Sequence, residues 1–460
     1  MDGTRRRARL ARSRLYLVLE ARPHGDDPTA LLEAALRGGV DIVQLRDKTL
    51  PDDELVRAAE PFRRACEAHG ALFVLNDRPD LVERCGADGV HVGQGDLPFT
   101  EARRLVGDDR LVGLSATRVD ELHGEPDYFG VGAIHATPTK PESEAGGLPL
   151  VWAARDTLRV PWFAIGGVEA DTVAELVAAG AAGIAVVRAI RDADDPERAA
   201  RELRAALPPT DAIVTEGDTE ICLPQVDWFE WPMAPDFPPI APHTHAAHTD
   251  CFYALSGELE FRLGDETVRV PAGSLVGAPP LLVHGFRNPG SGEARLLNLH
   301  APGGWGRGRR MFKPGEYDTF GVDRGSSSRR GVVTGPGDGD RLTSEQRLAL
   351  VKIESVDLAV LEYAVSPEYT GAEEHVHLLH ADGFRVLEGA LDFTLAGATV
   401  RAEPGTTVVV PPGVEHAFTS AGRARFLNVH APSFGFSEYL RRLDAREGEL
   451  DGTAYDAYAL

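Results

Sequence analysis

One histidine pattern, written twice, constrains this chain more than any other feature. His243-Thr-His245-Ala-Ala-His248-Thr-Asp250 returns 132 residues later as His375-Val-His377-Leu-Leu-His380-Ala-Asp382, and the pairs Gly257/Gly389 and His284/His416 keep the same offset. Asn298-Leu-His300-Ala-Pro302 and Asn428-Val-His430-Ala-Pro432 close the two copies. A pattern that repeats with its spacing intact marks two copies of one domain. Around it the chain runs in short alternating apolar stretches broken by Gly and Pro, with no long amphipathic helix, which predicts an all-β barrel or sandwich. The first copy is expected over 212–305 and the second over 331–443. A connector rich in Gly, Arg and Ser lies between them at 306–330, and a C-terminal tail at 444–460.

On a strand, residues i and i+2 face the same side, so His243 and His245 point into one barrel and His375 and His377 into the other. Asp250 or Asp382 follows each pair, and His284 or His416 comes after a Pro-rich turn. Three histidines and a carboxylate with open positions suit Fe(II), Mn(II), Ni(II) or Zn(II), and the pattern does not choose among them. Isolated histidines are more often surface or core residues than ligands, but ten of the fifteen here fall into five repeated pairs. His248 and His380 read as supporting groups or an extra ligand, and His300 and His430 as structural. The arrangement resembles the two cupin motifs, with Asp in place of the more usual Glu, over roughly 213–302 and 331–443. The resemblance implies a tandem of double-stranded β-helix barrels and leaves the reaction open, since cupins include dioxygenases, isomerases, sugar-binding modules and storage proteins.

Before Pro208-Pro209 the texture is different. Eight apolar runs, at 15–19, 40–45, 72–75, 89–92, 111–114, 128–132, 162–165 and 183–187, alternate with helical stretches such as 31–36, 52–68, 173–179 and 196–206. Eight βα units in about 200 residues predict a TIM (β/α)8 barrel over 14–208. Residues 1–13 are rich in arginine and precede no apolar segment, so they are expected to be a solvated basic tail rather than a secretory leader. The chain as a whole is 43 % hydrophobic and 26 % charged, without an apolar run long enough to span a membrane. A net charge of −23 repels phosphate backbones and argues against nucleic acid as a partner, while leaving room for a local basic pocket that holds a small anion. Cys66, Cys85, Cys222 and Cys251 form no CxxC pair, which fits a reducing cytoplasm rather than a disulfide framework.

A TIM barrel places its reacting groups at the carboxyl ends of the strands. Polar residues crowd there: Gln44-Leu-Arg46-Asp-Lys48, Asn76-Asp77-Arg78, His91-Val-Gly-Gln94-Gly-Asp96, Ser115, Thr137-Pro-Thr139-Lys140 and Gly166-Gly167. One such motif is as easily a helix cap or turn, but six in succession are not explained that way. Arg46, Lys48 and Lys140 are candidates to converge on an anion, and the carboxylates Asp77 and Asp96 suit Mg2+. Gly166-Gly167 offers bare N–H groups where this fold often holds a phosphate.

The runs QLRDK, NDR, DGVHVGQGDLP, TPTK and AIGGV stand in the order and spacing of thiamine-phosphate synthases, a resemblance covering nearly all of 14–207. It implies a transferase of thiamine biosynthesis that joins a hydroxymethylpyrimidine diphosphate to a thiazole phosphate and releases pyrophosphate. In that reading Mg2+ on Asp77 and Asp96, with Arg46, Lys48, Lys140 and Ser115, draws off the diphosphate. Gln44 and Asn76 meet the pyrimidine, Thr137 and Thr139 the thiazole, and Gly166, Gly167 and Arg188 the thiazole phosphate. The chain departs from the family at Glu20 (usually Asp), Thr117 (usually His), Ala133-Ile-His135 (usually Pro-x-Phe) and Arg188 (usually Ser). Retention of Arg46, Lys48, Asp77 and Lys140 favours a synthase over the related thiazole tautomerases. The cupins would make the chain multifunctional. Two other readings give the cupins a metal-dependent dioxygenase activity of the quercetinase type, with the barrel as heterocycle-binding partner, or make them a non-catalytic module for binding or homo-oligomer formation.

Overall fold

Continuous apolar runs flanked by amphipathic helices are what a parallel sheet buried on both faces requires, and residues 15–186 form one. The computed structural model describes residues 1–136, 145–303, 319–322, 325–326, 328–445 and 451–459. The chain divides into two compact units, Met1–Pro209 and Thr210–Leu460. In the first, β1 (Leu15–Leu19), β2 (Ile42–Leu45), β3 (Leu72–Asn76), β4 (Gly89–Val92), β5 (Leu111–Ala116), β6 (Tyr128–Val131), β7 (Trp162–Ile165) and β8 (Gly183–Val186) close in chain order into a parallel barrel. Leu15, Leu17 and Leu19 pack outward among the helices, whereas Tyr16, Val18, Ile42, Leu72, Val74, Leu111, Tyr128 and Phe163 fill the interior. Gly113 is glycine because a Cβ there would collide with the Tyr128 ring.

Residues 1–13 are not a solvated tail. Gly3–Arg12 is a helix, N-capped by Asp2, whose buried Leu10 joins the interior cluster of the barrel. Its arginines find acceptors on the barrel: Arg6 Nε donates to Asp88 (2.9 Å) and Arg7 Nε to Asp127 (2.8 Å). The density of charge makes the segment look solvated, but the charges are paired and the helix covers apolar surface. Among the described residues no helix is long and apolar enough to cross a membrane.

The second unit contains two copies of a two-sheet barrel. In the first copy, strands Thr219–Cys222, Asp227–Met233, Ala294–Ala301, Thr249–Ser256 and Leu275–Ala278 form one sheet, and Glu266–Pro271, Glu258–Leu263, His284–Arg287 and Ile240–His245 the other. The second copy repeats this arrangement, and the two share a core in which Trp228, Leu297 and Leu299 meet Val360, Val409 and Leu427. Sheet membership crosses the boundaries drawn from sequence. Ile213–Glu216 pairs with Thr406–Val410 of the second copy, and Val332–Thr334 with Leu275–Ala278 of the first. Thr319–Phe320, in the expected connector, pairs with Ile240–His245; Tyr458–Ala459, in the expected tail, pairs with His375–Val376. Each borrowed strand covers an edge that would otherwise present bare N–H and C=O groups.

Candidate active site and candidate metal centres

The period of two that packs the barrel interior also delivers its polar residues to the mouth. Gln44 faces inward on β2, and the ladder runs on to Arg46, whose N–H donates to Leu19 O (2.8 Å). Asn76 ends β3 and Ser115 lies near the end of β5. With Gly166, Gly167 and Arg188 they line a cavity of about 390 Å3. At the rim, Lys48 Nζ lies 2.8 Å from Asp77 Oδ2 and 3.9 Å from Asp96 Oδ1, so strand ends two, three and four bring one ammonium and two carboxylates together. Asp77 has φ 59°, in the left-handed region that Asp and Asn tolerate best among residues with a Cβ. Asn76 lines the cavity, and the carboxylate after it meets Lys48. Asp96 is steadied by Gly93 N–H (3.1 Å). Lys48 is half-exposed, and an exposed pair of this kind is worth about 0–1 kcal/mol, so its ammonium is readily exchanged onto an arriving anion.

Gly166 and Gly167 have φ 96° and 64°. A Cβ at Gly166 would lie 2.6 Å from Ala133 Cα, and one at Gly167 2.7 Å from His135 Cβ, because His135 N–H is bonded to Gly166 O (3.0 Å). Arg188 makes one long ion pair, 3.5 Å to Glu169, and Glu20 is held by Arg191 (3.0 Å). Thr117 donates from its N–H and hydroxyl to Glu121 Oε2 (2.7 and 2.9 Å). Thr137, Thr139 and Lys140 lie outside the described residues.

Sequence reasoning missed the polar chain beneath this mouth. Gln44 Nε2 donates to Tyr16 Oη (2.7 Å), Tyr16 Oη meets Tyr128 Oη (3.0 Å), Tyr128 Oη lies 3.3 Å from His91 Nδ1, and His91 Nε2 meets Ser115 Oγ (2.9 Å). Burial pushes both phenols well above their ordinary range, so they remain hydroxyls. The sequence signal was a tyrosine at an inward position of β1 and of β6.

In the first cupin, ligand atoms of His243, His245, Asp250 and His284 all lie within 4.8 Å of one another. His284 Nε2 is 3.1 Å and His245 Nε2 3.5 Å from Asp250 Oδ2. His243 Nδ1 donates to Ala241 O (2.8 Å) and His284 Nδ1 to Leu282 O (2.9 Å), which leaves each Nε2 lone pair aimed at the shared centre. Burial alone would raise the Asp250 carboxyl, but His300 and hydrogen bonds with His245 and His284 outweigh it and hold the group well below the usual carboxylate range. Burial, with the neighbouring His284, pulls His243 down to about 4.

In the second cupin one tight set is His375, His377 and His416. Asp382, expected as a fourth member, approaches His416 (3.4 Å) and His377 (3.9 Å) without joining that set; Asn428 Nδ2 holds its other oxygen at 2.6 Å. His375 Nδ1 donates to Glu373 O and His377 Nδ1 to Asp456 O, both at 2.8 Å, so the two Nε2 atoms, 3.1 Å apart, face each other as lone pairs. Two such lone pairs repel unless a cation lies between them, and neutral imidazoles fit a divalent transition ion. Asp456 lies in the expected tail, yet its carboxylate also accepts from the N–H groups of Leu378, Leu379 and His380 (3.0, 2.8 and 3.0 Å). A sequence signal existed: Tyr455-Asp456 with Tyr458 echoes Tyr317-Asp318 with Phe320.

A family model described as thiamine monophosphate synthase matches residues 15–190, and one described as cupin domain matches 229–300 and 362–430. The thiamine-phosphate synthase of Thermobifida fusca is 48 % identical over 215 residues, 45 % of this chain and 97 % of that protein. That of Acidothermus cellulolyticus is 45 % identical over 207 residues, 44 % of this chain and 98 % of that protein. Among solved structures, salicylate 1,2-dioxygenase from Pseudaminobacter salicylatoxidans covers 48 % of this chain and 74 % of its own at 14 % identity, with a TM-score of 0.36.

Proposed function

Because the chain belongs, through its first barrel, to the thiamine-phosphate synthase family, we propose that this barrel joins a hydroxymethylpyrimidine diphosphate to a thiazole phosphate, and that each cupin fused to it holds a divalent transition-metal ion. The observation that carries the first part is the convergence of Lys48, Asp77 and Asp96 beside the cavity lined by Gln44, Arg46 and Asn76. Gln44 and Asn76 orient the pyrimidine. Arg46 and Lys48 bind the diphosphate, with Lys140 as a third cation carried by the family resemblance. Asp77 and Asp96 offer hard carboxylate oxygens, already gathered round one ammonium, and would hold Mg2+, which supplies charge neutralisation to the leaving diphosphate. The exocyclic carbon–oxygen bond of the pyrimidine breaks, pyrophosphate departs with the electron pair, and the thiazole nitrogen forms the new bond to that carbon. Ser115 Oγ, fixed by His91, donates to the departing oxygens, while Gly166, Gly167 and Arg188 hold the thiazole phosphate, with Thr137 and Thr139 beside the ring. No covalent nucleophile is required, since positioning and electrostatic stabilisation carry the step.

In the cupins, His243, His245, His284 and Asp250, and His375, His377 and His416 with Asp382 nearby, would hold the ions. The arrangement of backbone acceptors on their Nδ1 atoms supports this reading. Full-length protein incubated with both phosphorylated precursors and Mg2+ is expected to form thiamine phosphate; a chain that binds both precursors and forms none would overturn the synthase reading.

A further inference from the structure

His380 and His430 of the second cupin lie behind the centre just described, and both are about 99 % buried. His380 Nδ1 is 2.9 Å from Asp456 Oδ2, an oxygen that already accepts two backbone N–H groups, so the ring is the donor there and its Nε2 carries a lone pair. His430 Nε2 is 2.8 Å from Asn428 Oδ1. The amide of Asn428 is oriented by donation from Nδ2 to Asp382 and to Gly383 O, so Oδ1 is the acceptor, His430 Nε2 the donor, and His430 Nδ1 a second lone pair. These two lone-pair nitrogens, His380 Nε2 and His430 Nδ1, face each other at 3.0 Å. His377 Nε2, a lone pair because Nδ1 donates to Asp456 O, completes a trio whose ligand atoms all lie within 4.8 Å of one another.

We propose that His377, His380 and His430 form a second, inner position for a divalent transition-metal ion in the second cupin. Nitrogens that share one ion at about 2.1 Å stand about 3.0–3.4 Å apart, which is the separation of His380 Nε2 and His430 Nδ1. Each ligand ring has its other nitrogen fixed by an oxygen acceptor, the support that metal-binding histidines ordinarily have. Two buried carboxylates offset the charge: Asp456 on His380, and Asp382, whose Oδ1 is 3.7 Å from His430 Nε2. Three neutral imidazoles select Zn(II), Ni(II), Co(II) or Fe(II) over Mg2+ or Ca2+. His377 has a single Nε2 lone pair, so one ion occupies either the inner position or the outer one made with His375 and His416. The proposal shares His377 with the outer centre and does not require that centre to be filled.

The test uses the full-length chain with Co(II) alone. His243→Ala, His284→Ala, His375→Ala and His416→Ala together disable both outer centres and leave the inner trio whole. This variant is expected to retain about one Co(II) per chain, and adding His380→Ala and His430→Ala is expected to abolish binding. A folded four-site variant that binds no cobalt overturns the proposal while leaving the outer centres standing; wild-type protein that binds none overturns both. Should the four-site variant not fold, the anomalous map of His416→Ala crystals in excess Co(II) decides, since that change disables the outer centre and leaves the inner trio whole. Density between His380 Nε2 and His430 Nδ1 supports the inner position, and a map without cobalt there overturns it.

Discussion

At Asp77 a backbone requirement and a charge requirement fall on one residue. Its positive φ admits Asn at little cost, so Asp77→Asn is expected to fold like the wild type and to slow pyrophosphate release on the order of 10²–10³-fold, the usual effect of losing one electrostatic contact to a transition state. Steady-state kinetics together with a thermal melt separate the two effects. Tyr128→Phe leaves the barrel packing in place and cuts the chain from Gln44 to Ser115; a stability loss of about 0.5–1.5 kcal/mol by denaturant melt is expected. The histidines of the cupins set an acid limit. Burial pulls His243 and His375 down to about 4 from an ordinary value of 6.5, so unfolded chain takes up protons before folded chain does as pH falls. Metal-stripped protein is therefore expected to keep its full stability above about pH 6.5 and to lose it progressively toward pH 4. Lys48, Asp77 and Asp96 were legible in the sequence because each closes an apolar run that must be a strand. Tyr16 and Tyr128 were not, since which alternate residues point inward depends on the register of the closed barrel.

Elements divide the same way. The eight barrel strands were legible to within a residue or two because a parallel strand buried on both faces is an unbroken apolar run bounded by helix. Gly3–Arg12 was not legible, and Thr319–Phe320 and Tyr458–Ala459 left only the Tyr-Asp echo: a helix whose arginines are paired by distant aspartates, and edge strands of two residues, have no periodicity of their own and exist because of their partners. The C-terminal segment shows what such a piece contributes. Asp456→Ala removes one carboxylate from three backbone donors and His380, and hydrogen bonds to a charged group are worth about 1.5–3 kcal/mol each, so the variant is expected to lower the melting temperature of the 210–460 unit and weaken its metal binding. Gly166→Ala at φ 96° is expected to raise KM for the thiazole phosphate, because the added Cβ displaces the 133–135 loop.

At the scale of the whole molecule the repeat predicts two cupins, but their exchanged strands and common core make them one compact unit. Buried Arg385 of one copy grips Glu230 of the other with two bonds of 2.6 Å. Arg385→Ala leaves that buried carboxylate with Arg295 at 3.1 Å in place of its two-bond grip, and breaking a buried pair of this kind costs about 3–5 kcal/mol. Calorimetry is expected to show the loss in the cupin transition, with the barrel transition unmoved. The central step is departure of the diphosphate at the mouth of the first barrel. Its most direct test is pyrophosphate release by the full-length protein, measured against Mg2+ concentration for wild type and Asp77→Asn. Release that needs both precursors, rises with Mg2+ and falls at least a hundredfold in the variant is the predicted result, on the order expected for one lost electrostatic contact. Equal, Mg2+-independent release by the two proteins would contradict it.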